Sequence, residues 1–580
     1  MVKKKQRDLG RLAVALAILI LVNIIASLAF FRIDLTAEKR FTLNQVTKDL
    51  LAGLDDIVYF EVYLEGEFPA GFQRLGNETQ RMLEEFKAHS DNIDFVFVNP
   101  SESENQEERY EVYAQLQEKG LTPSTIQVNE GDNRSQQVIF PGALVRYRNN
   151  EEAIQLLVDE QAPAEQVLNS SVEGLEFALV NAIRKLSTER KPSIAFLQGH
   201  GELAEEQVAD ITASLEEYYI VQQFNLRQFP VDSTTGKPSI LAQQRNMAYF
   251  DALIIAKPIE SFSRLDQFLV DQFIMRGGKI MWLVDMVAAE MDSLAANNKI
   301  ATFPRADIGF DKQLFTYGAR INFNLVQDFE AAPILIPEGN VGGTPQWNIA
   351  PWYYFPMVRN IQPHPITSNV NPVRMEFGSS IDTVIVKGVK KTFLLHSSKT
   401  SRLSSTPNII TLDLLLNKPD ENYFSKSNVP MAVLLEGNFT SHFKFSLVPK
   451  LDSPEPIEIV KESKANKMIV VADGDIIKNQ THKGEAVPLG IDKWTYSRTN
   501  HVYGNKTFLM NALDYLLDDT GLNQIRKREV ALRLMNKNTI TENKGLIKFL
   551  NVALPIVLVL LIGLILRILR RRKYAIRYEK

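Results

Sequence analysis

The stretch Pro192-Ser193-Ile194-Ala195-Phe196-Leu197-Gln198-Gly199-His200-Gly201-Glu202 decides the fold. Its apolar run is short and sharply bounded, Lys191-Pro192 before it and two glycines after it, which reads as a buried strand ending in a tight turn. The polar residues Glu205 to Glu217 then read as a helix, and Tyr219 to Phe224 as a second strand. The pattern repeats in Asp251 to Ala256, a helix carrying Phe262, Leu265, Phe268, Leu269 and Phe273, the Gly277-Gly278 stop, and Lys279 to Val284. Strands alternating with helices between such breaks predict a doubly wound, mostly parallel sheet.

Outward from this unit, the N-terminal side predicts a smaller α/β domain. Ile57 to Leu64 and Ile93 to Val98 read as strands, Asn77 to Ala88 and Glu104 to Lys119 as helices, and Thr42 as the cap of a short helix. Val138 to Tyr147 and Ala153 to Val158 read as a hairpin about Asn149-Asn150, and Val172 to Leu186 as an amphipathic helix. The resulting β-α-β-α-β-β-α order is that of a thioredoxin-like domain. With no cysteine in the chain there is no thiol–disulfide chemistry, and a binding or spacer role is expected.

On the C-terminal side, Ile334 to Pro372 reads as a long loop rich in proline and aromatics, including Trp347, Trp352, Tyr353, Tyr354 and Phe355. Asp382 to Val386, Thr392 to His396, Val429 to Leu435 and Phe443 to Leu447 read as strands of an insertion. Lys467 to Ala472 and the helix Lys506 to Leu517 are expected to rejoin the central sheet. The expected boundaries are 32–190 for the first domain, 191–330 for the first part of the second, 331–460 for the β-rich insertion, 461–530 for the return and 531–548 for a linker.

The ends carry membrane signals. Leu12 to Phe31 is apolar except for Asn23 and Ser27, and Phe549 to Leu566 is a second apolar run, each long enough to cross a bilayer as a helix. Lys3, Lys4, Lys5, Arg7 and Arg11 precede the first; Arg567, Arg570, Arg571, Arg572, Lys573, Arg577 and Lys580 follow the second. Basic flanks outside both spans put segments 1–11 and 567–580 in the cytoplasm of a bacterial inner membrane, with 32–548 periplasmic. The first run is longer than the core of a cleaved signal peptide, so an anchor is expected.

Sixty-five basic against sixty-nine acidic residues give no support for nucleic-acid binding. The missing cysteines exclude disulfides, thiolate zinc sites and a cysteine nucleophile. There is no phosphate-binding loop, no Gly-x-Ser-x-Gly elbow and no His-Glu-x-x-His. If the central strands are parallel, a ligand site belongs in the crevice at their carboxyl ends. That crevice would gather His200 and Glu202 from the first turn, Lys257 from the third strand, Asp285 from the fourth, and Asp473 and Asp475 from the last. A histidine among carboxylates suits acid–base chemistry or a hard metal ion; the same residues equally suit turns and helix starts. No metal or cofactor is expected from spacing, and no catalytic residue is assigned.

Four stretches together resemble a known family: Asp34-Leu35-Thr36-Ala37-Glu38-Lys39-Arg40-Phe41-Thr42-Leu43, Gly199-His200-Gly201-Glu202, Leu434-Leu435-Glu436-Gly437-Asn438-Phe439-Thr440-Ser441, and Val471-Ala472-Asp473-Gly474-Asp475. The chain is similar to auxiliary components of an uncharacterised ABC-type transport system, in particular the gliding-motility-associated, substrate-binding-like auxiliary proteins (protein G) of Bacteroidota. The resemblance implies a partner ATPase and a partner permease, a role in surface gliding, and an amidotransferase-like fold for the central unit. Lacking the cysteine nucleophile of that fold, the unit would bind rather than catalyse, taking partner proteins or an unidentified small molecule or glycan. Two rival expectations are a cell-envelope enzyme using His200 with Asp285 or Asp473, and a purely structural scaffold.

Overall fold

The computed structural model describes residues 42–521, with interruptions at 104, 131–132, 159–163, 189, 232–235, 342–343, 369, 417–418, 445, 450–456 and 519–520. It also describes 544–545, 549–575 and part of 10–21. The chain forms two compact units, 1–528 and 529–580.

In the first unit, helix α1 (Gln45–Ala52) is the first element of the stretch 42–521. Its N-terminus is capped by Asn44, whose side chain accepts from the Val46 N–H, rather than by the expected Thr42. Strand β1 (Val58–Val62), helix α2 (Ala70–His89), strand β2 (Ile93–Phe97) and helix α3 (Gln106–Glu118) follow. A separate ribbon, β3 (Ser124–Glu130) with β4 (Asn133–Ile139), takes up residues that sequence had placed at the start of the hairpin. The hairpin itself pairs β5 (Gly142–Tyr147) with β6 (Asn150–Gln155), and α4 (Ala164–Ser187) closes the subdomain. The sheet order is β2-β1-β5-β6; β1 runs parallel to β2 and antiparallel to β5. Val58, Phe60 and Val62 alternate inward, where Leu75, Leu83 and Phe86 of α2 and Leu175, Leu179 and Ile183 of α4 cover them.

The central sheet is built from β7 (Ser193–Gln198), β8 (Ile220–Asn225), β9 (Ala252–Ala256) and β10 (Lys279–Leu283), then β11 (Val389–His396), β12 (Pro430–Thr440) and β13 (Glu462–Val471). Its order is β11-β12-β13-β10-β9-β7-β8. The five strands from β13 to β8 are parallel, in chain order 2-1-3-4-5 from the β8 edge, and the inserted β12 and β11 extend the sheet antiparallel. Both faces are covered, which is why these strands read as unbroken apolar runs. Ile194, Phe196, Ile254, Met281 and Ile469 meet Leu215 of α5 (Ala209–Glu216) and Phe508, Leu509 and Leu513 of a C-terminal helix, Asn505–Leu517. On the other face Leu197, Leu253, Ile255 and Trp282 meet Ile240 and Met247 of α6 (Ile240–Met247), and Leu269, Phe273 and Ile274 of α7 (Arg264–Met275). Each fully covered side chain of this size contributes roughly 1.5–3 kcal/mol.

Two expectations for the insertion are corrected. Ile334 to Pro372 is mainly a two-stranded ribbon, Ala331–Val341 against Thr344–Val358, and Trp352, Tyr353, Tyr354 and Phe355 are buried. Consecutive burial of four aromatics, with Pro351 and Pro356 in the strand and two register shifts, hides the period of two by which a strand is recognised. Phe443 lies in a 3-10 turn, His442–Lys444, where Phe443 to Leu447 had read as a strand.

In the second unit, Phe549–Ala553 forms a π turn that leads into a helix, Leu554–Ala575. Its segment Phe549–Arg572 is long and apolar enough to cross a membrane. Most of the run expected as the other span, 22–31 above all, lies outside the described residues, as does Asp34 to Phe41.

Candidate functional site

The parallel register brings the carboxyl ends of β7, β9, β10 and β13 to one rim of the sheet, and all six residues anticipated from sequence lie in the turns that follow them. They do not form one site. His200 and Glu202 belong to one charged cluster, and Lys257, Asp285, Asp473 and Asp475 to another.

At the end of β7, Gly199 and Gly201 adopt positive φ of 118° and 69°, and a Cβ on Gly201 would come within 2.5 Å of the Ile259 side chain. This tight turn folds the His200 ring inward to 0% exposure. Its Nδ1 lies 3.1 Å from Glu202 Oε1 and its Nε2 3.1 Å from Asp266 Oδ2. The His200 backbone N–H donates to Glu202 Oε2 at 2.6 Å. Phe262 stacks flat on the ring with 3.7 Å between centroids. Burial would lower the imidazole's pKa, but hydrogen bonds to Asp266 and Glu202 outweigh it and raise the value, which favours the protonated ring, the form able to donate to both carboxylates. Burial would likewise raise Asp266, yet the bonds from His200 and from Ser263, whose N–H donates at 2.8 Å, hold it low. Asp266 was legible only as the third residue of the Ser263 capping box, and so as a helix start.

The second cluster sits at β9, β10 and β13. Lys257 takes a left-handed backbone conformation, φ 54°, uncommon for a residue with a side chain. Its ammonium, 5% exposed, lies 2.5 Å from Asp475 Oδ2, 3.0 Å from Glu290 Oε1 and 3.6 Å from Asp285 Oδ2. Burial would lower this lysine, but Asp285, Asp475 and Glu290 together raise it. Gly474 passes so close that a Cβ there would be 2.6 Å from Lys257 Cβ. Its N–H donates to Asp285 Oδ1 at 2.6 Å. Asp473 is wholly buried: Oδ2 accepts from the Glu376 N–H at 2.7 Å and Oδ1 from the Asp475 N–H at 2.8 Å. Burial pushes Asp285 up to about 7, with the Asp475 charge adding to it. Asp473 is raised by burial and by the charges of Asp285 and Asp475, and Glu376 by burial and by Asp475, despite Arg374 beside it.

Asp285, Asp473 and Asp475 each offer one oxygen within 4.8 Å of the others. Beside Asp475 a recess with room for a few water molecules, about 40 Å³, is lined by Arg374, Glu376, Lys478, Gly490, Tyr503 and Asn505, among others. Glu290, from the segment that follows β10, and Arg374 and Glu376, from the inserted segment, are absent from the sequence reading and carry no spacing signal. Of the aromatic stretch only Trp347 is open to solvent, at 47%.

Comparison with known proteins matches these elements to a family. The model of an ABC-type uncharacterised transport system matches residues 191–512, and that of a domain of unknown function matches 37–146. An uncharacterised protein of Borreliella burgdorferi is 22% identical over 586 aligned positions, which cover 98% of this chain and 99% of that protein. Among solved structures, the N-terminal domain of mmIFT52 aligns with 56% of this chain and 98% of its own at 10% identity, and its TM-score of 0.31 carries no argument. Since the match over 191–512 spans more than half of the chain and takes in β7 to β13 with both charged clusters, this protein belongs to the family of the ABC-type uncharacterised transport system.

Proposed function

We propose that the chain is a non-catalytic auxiliary subunit of an ABC transport complex, anchored by two spans, with both termini cytoplasmic and residues 32–548 outside the cytoplasm. The match over 191–512 carries this reading. The helix Phe549–Arg572 and the basic run after it support the anchor and its orientation. A subunit of this kind implies an ATPase and a permease beside it. The strand order of the N-terminal sheet supports a thioredoxin-like topology, and the doubly wound central sheet supports an amidotransferase-like unit used for binding.

The enzyme reading is disfavoured on chemistry. A general acid or base needs a ring nitrogen within reach of substrate, and both nitrogens of His200 face buried carboxylates. Gliding motility is the finer assignment, resting on the motif resemblance; loss of surface spreading in a deletion strain tests it.

The central test is purification of the tagged protein from its native membrane in mild detergent. Stoichiometric recovery of an ATP-binding subunit and a polytopic permease is expected. Recovery of the chain alone, or with unrelated envelope proteins, overturns the transporter reading.

A further inference from the structure

Charge balance around Asp475 is incomplete. Six carboxylates, those of Asp285, Glu290, Glu376, Asp473, Asp475 and Asp492, surround three cationic groups, Lys257, Lys478 and Arg374. Arg374 is already held by Asp492 and Glu376, and Lys257 by Asp475, Glu290 and Asp285. An excess of three negative charges in a largely buried network is costly unless protons or a cation offset it.

The orphan atom is Asp475 Oδ1. The Asp475 side chain is 6% exposed; its Oδ2 accepts from Lys257, whereas Oδ1 is buried without a hydrogen bond. The ammonium of Lys478 stays 3.5 Å away on a side chain about one-third exposed, outside hydrogen-bond geometry. Asp475 both lines the recess and belongs to the triad of mutually close carboxylates. The backbone N–H bonds to Asp285 and Asp473 fix those carboxylates and still leave each oxygen a second lone pair.

We propose that Asp475 Oδ1, with Asp285 and Asp473, holds a hard divalent cation of the calcium or magnesium class, its remaining positions filled by water in the recess. Three carboxylates with no nitrogen or sulfur donor select that class. Recess size agrees: about 40 Å³ of this kind takes roughly three waters, enough for hydrated positions on an ion. A divalent ion cuts the local excess from three charges to one. Lys257 keeps Asp475 Oδ2, so Asp475 bridges the lysine and the ion.

The test uses the full chain in detergent, stripped with a chelator and titrated with Mn²⁺, free ion being read by electron paramagnetic resonance. One Mn²⁺ per chain is expected, displaced by Ca²⁺ or Mg²⁺, and the stronger competitor identifies the resident ion. Asp475→Asn is expected to weaken binding at least about tenfold, while Glu216→Gln on the distant surface of α5 leaves it unchanged. If Asp475→Asn is not recovered folded, Glu376→Gln at the recess replaces it, again with weaker binding expected. Absence of stoichiometric Mn²⁺ binding at millimolar concentration, or binding undiminished in the recess variant, or equal loss in Glu216→Gln, overturns the proposal.

Discussion

Two charged clusters share the carboxyl rim of one parallel sheet, and they are built on opposite principles. Around His200 the polar atoms answer one another: the imidazole sits between two carboxylates, stacked on Phe262, with both ring nitrogens used. Around Lys257 acids outnumber bases, one oxygen of Asp475 has no hydrogen bond, and a recess opens alongside. The first joins the β7 turn to the start of α7 and has both nitrogens of its imidazole taken by carboxylates; the second is under-compensated and open. Of residues alike in sequence, those left with unmet charge are the ones to examine for function.

The largest expected effect breaks the closed cluster. His200→Ala leaves Glu202 and Asp266 facing each other in a buried site, and removing one partner of such a network costs about 3–5 kcal/mol. Denaturant unfolding of the detergent-solubilised chain measures it. A pH series sharpens the assignment, because the groups facing the ring are Glu202 and Asp266, with Arg227 3.5 Å from Asp266. The imidazole's pKa is raised in the fold above its ordinary 6.5, so its stabilisation is fully present below that value and is lost as pH rises through the folded value. The cost of His200→Ala should therefore shrink on the alkaline side; a cost that grows there would show a neutral ring.

Next in size is Gly474→Ala, in the open cluster. The new Cβ would sit 2.6 Å from Lys257 Cβ and 2.8 Å from its Cα, and a backbone atom cannot swing aside as a side-chain tip can. Overpacking of this kind costs about 1–3 kcal/mol. Gly277→Ala is the control: nothing lies within 4 Å of its Cβ position, so only its positive φ of 102° opposes the change.

Asp285→Asn should reverse the sign. The amide oxygen can still accept from Gly474 N–H, while one of the crowded negative charges disappears. Unfolding free energy without divalent cations is expected to stay level or rise by up to about 1 kcal/mol, since a buried charge is removed and its hydrogen bond kept. A loss above 2 kcal/mol would mean that the charge itself is required by Lys257.

The contrast between the clusters also marks what the sequence could reveal. The rim was legible because β7, β9, β10 and β13 each end an apolar run at a Gly, Lys-Pro or Asp, and period and breaks alone place those ends. Which charges meet was not legible. Asp266 answers His200 from 66 residues away, Asp475 lies 218 residues from Lys257, and such distances leave no trace in spacing. The ribbon Ala331–Val341 with Thr344–Val358 escaped for another reason: prolines and wholly buried aromatics erase alternation where a strand is covered on both sides. Its own pairing register, not its sequence pattern, makes it a strand.

The smallest effect is expected at Glu290, and it separates counting charges from weighing them. Its carboxylate lies 3.0 Å from the Lys257 ammonium, closer than that of Asp285, yet its side chain is 45% exposed. Solvent screens an exposed carboxylate and rehydrates it when the pair opens, so Glu290→Gln should change stability by less than about 1 kcal/mol. The same variant removes one of the excess negative charges near the recess without touching the orphan oxygen of Asp475. If Glu290→Gln instead costs as much as His200→Ala, exposure does not rank these partners, and Lys257 depends on Glu290 as closely as His200 depends on Asp266. Paired unfolding curves of the two variants at one pH and salt concentration decide between these outcomes.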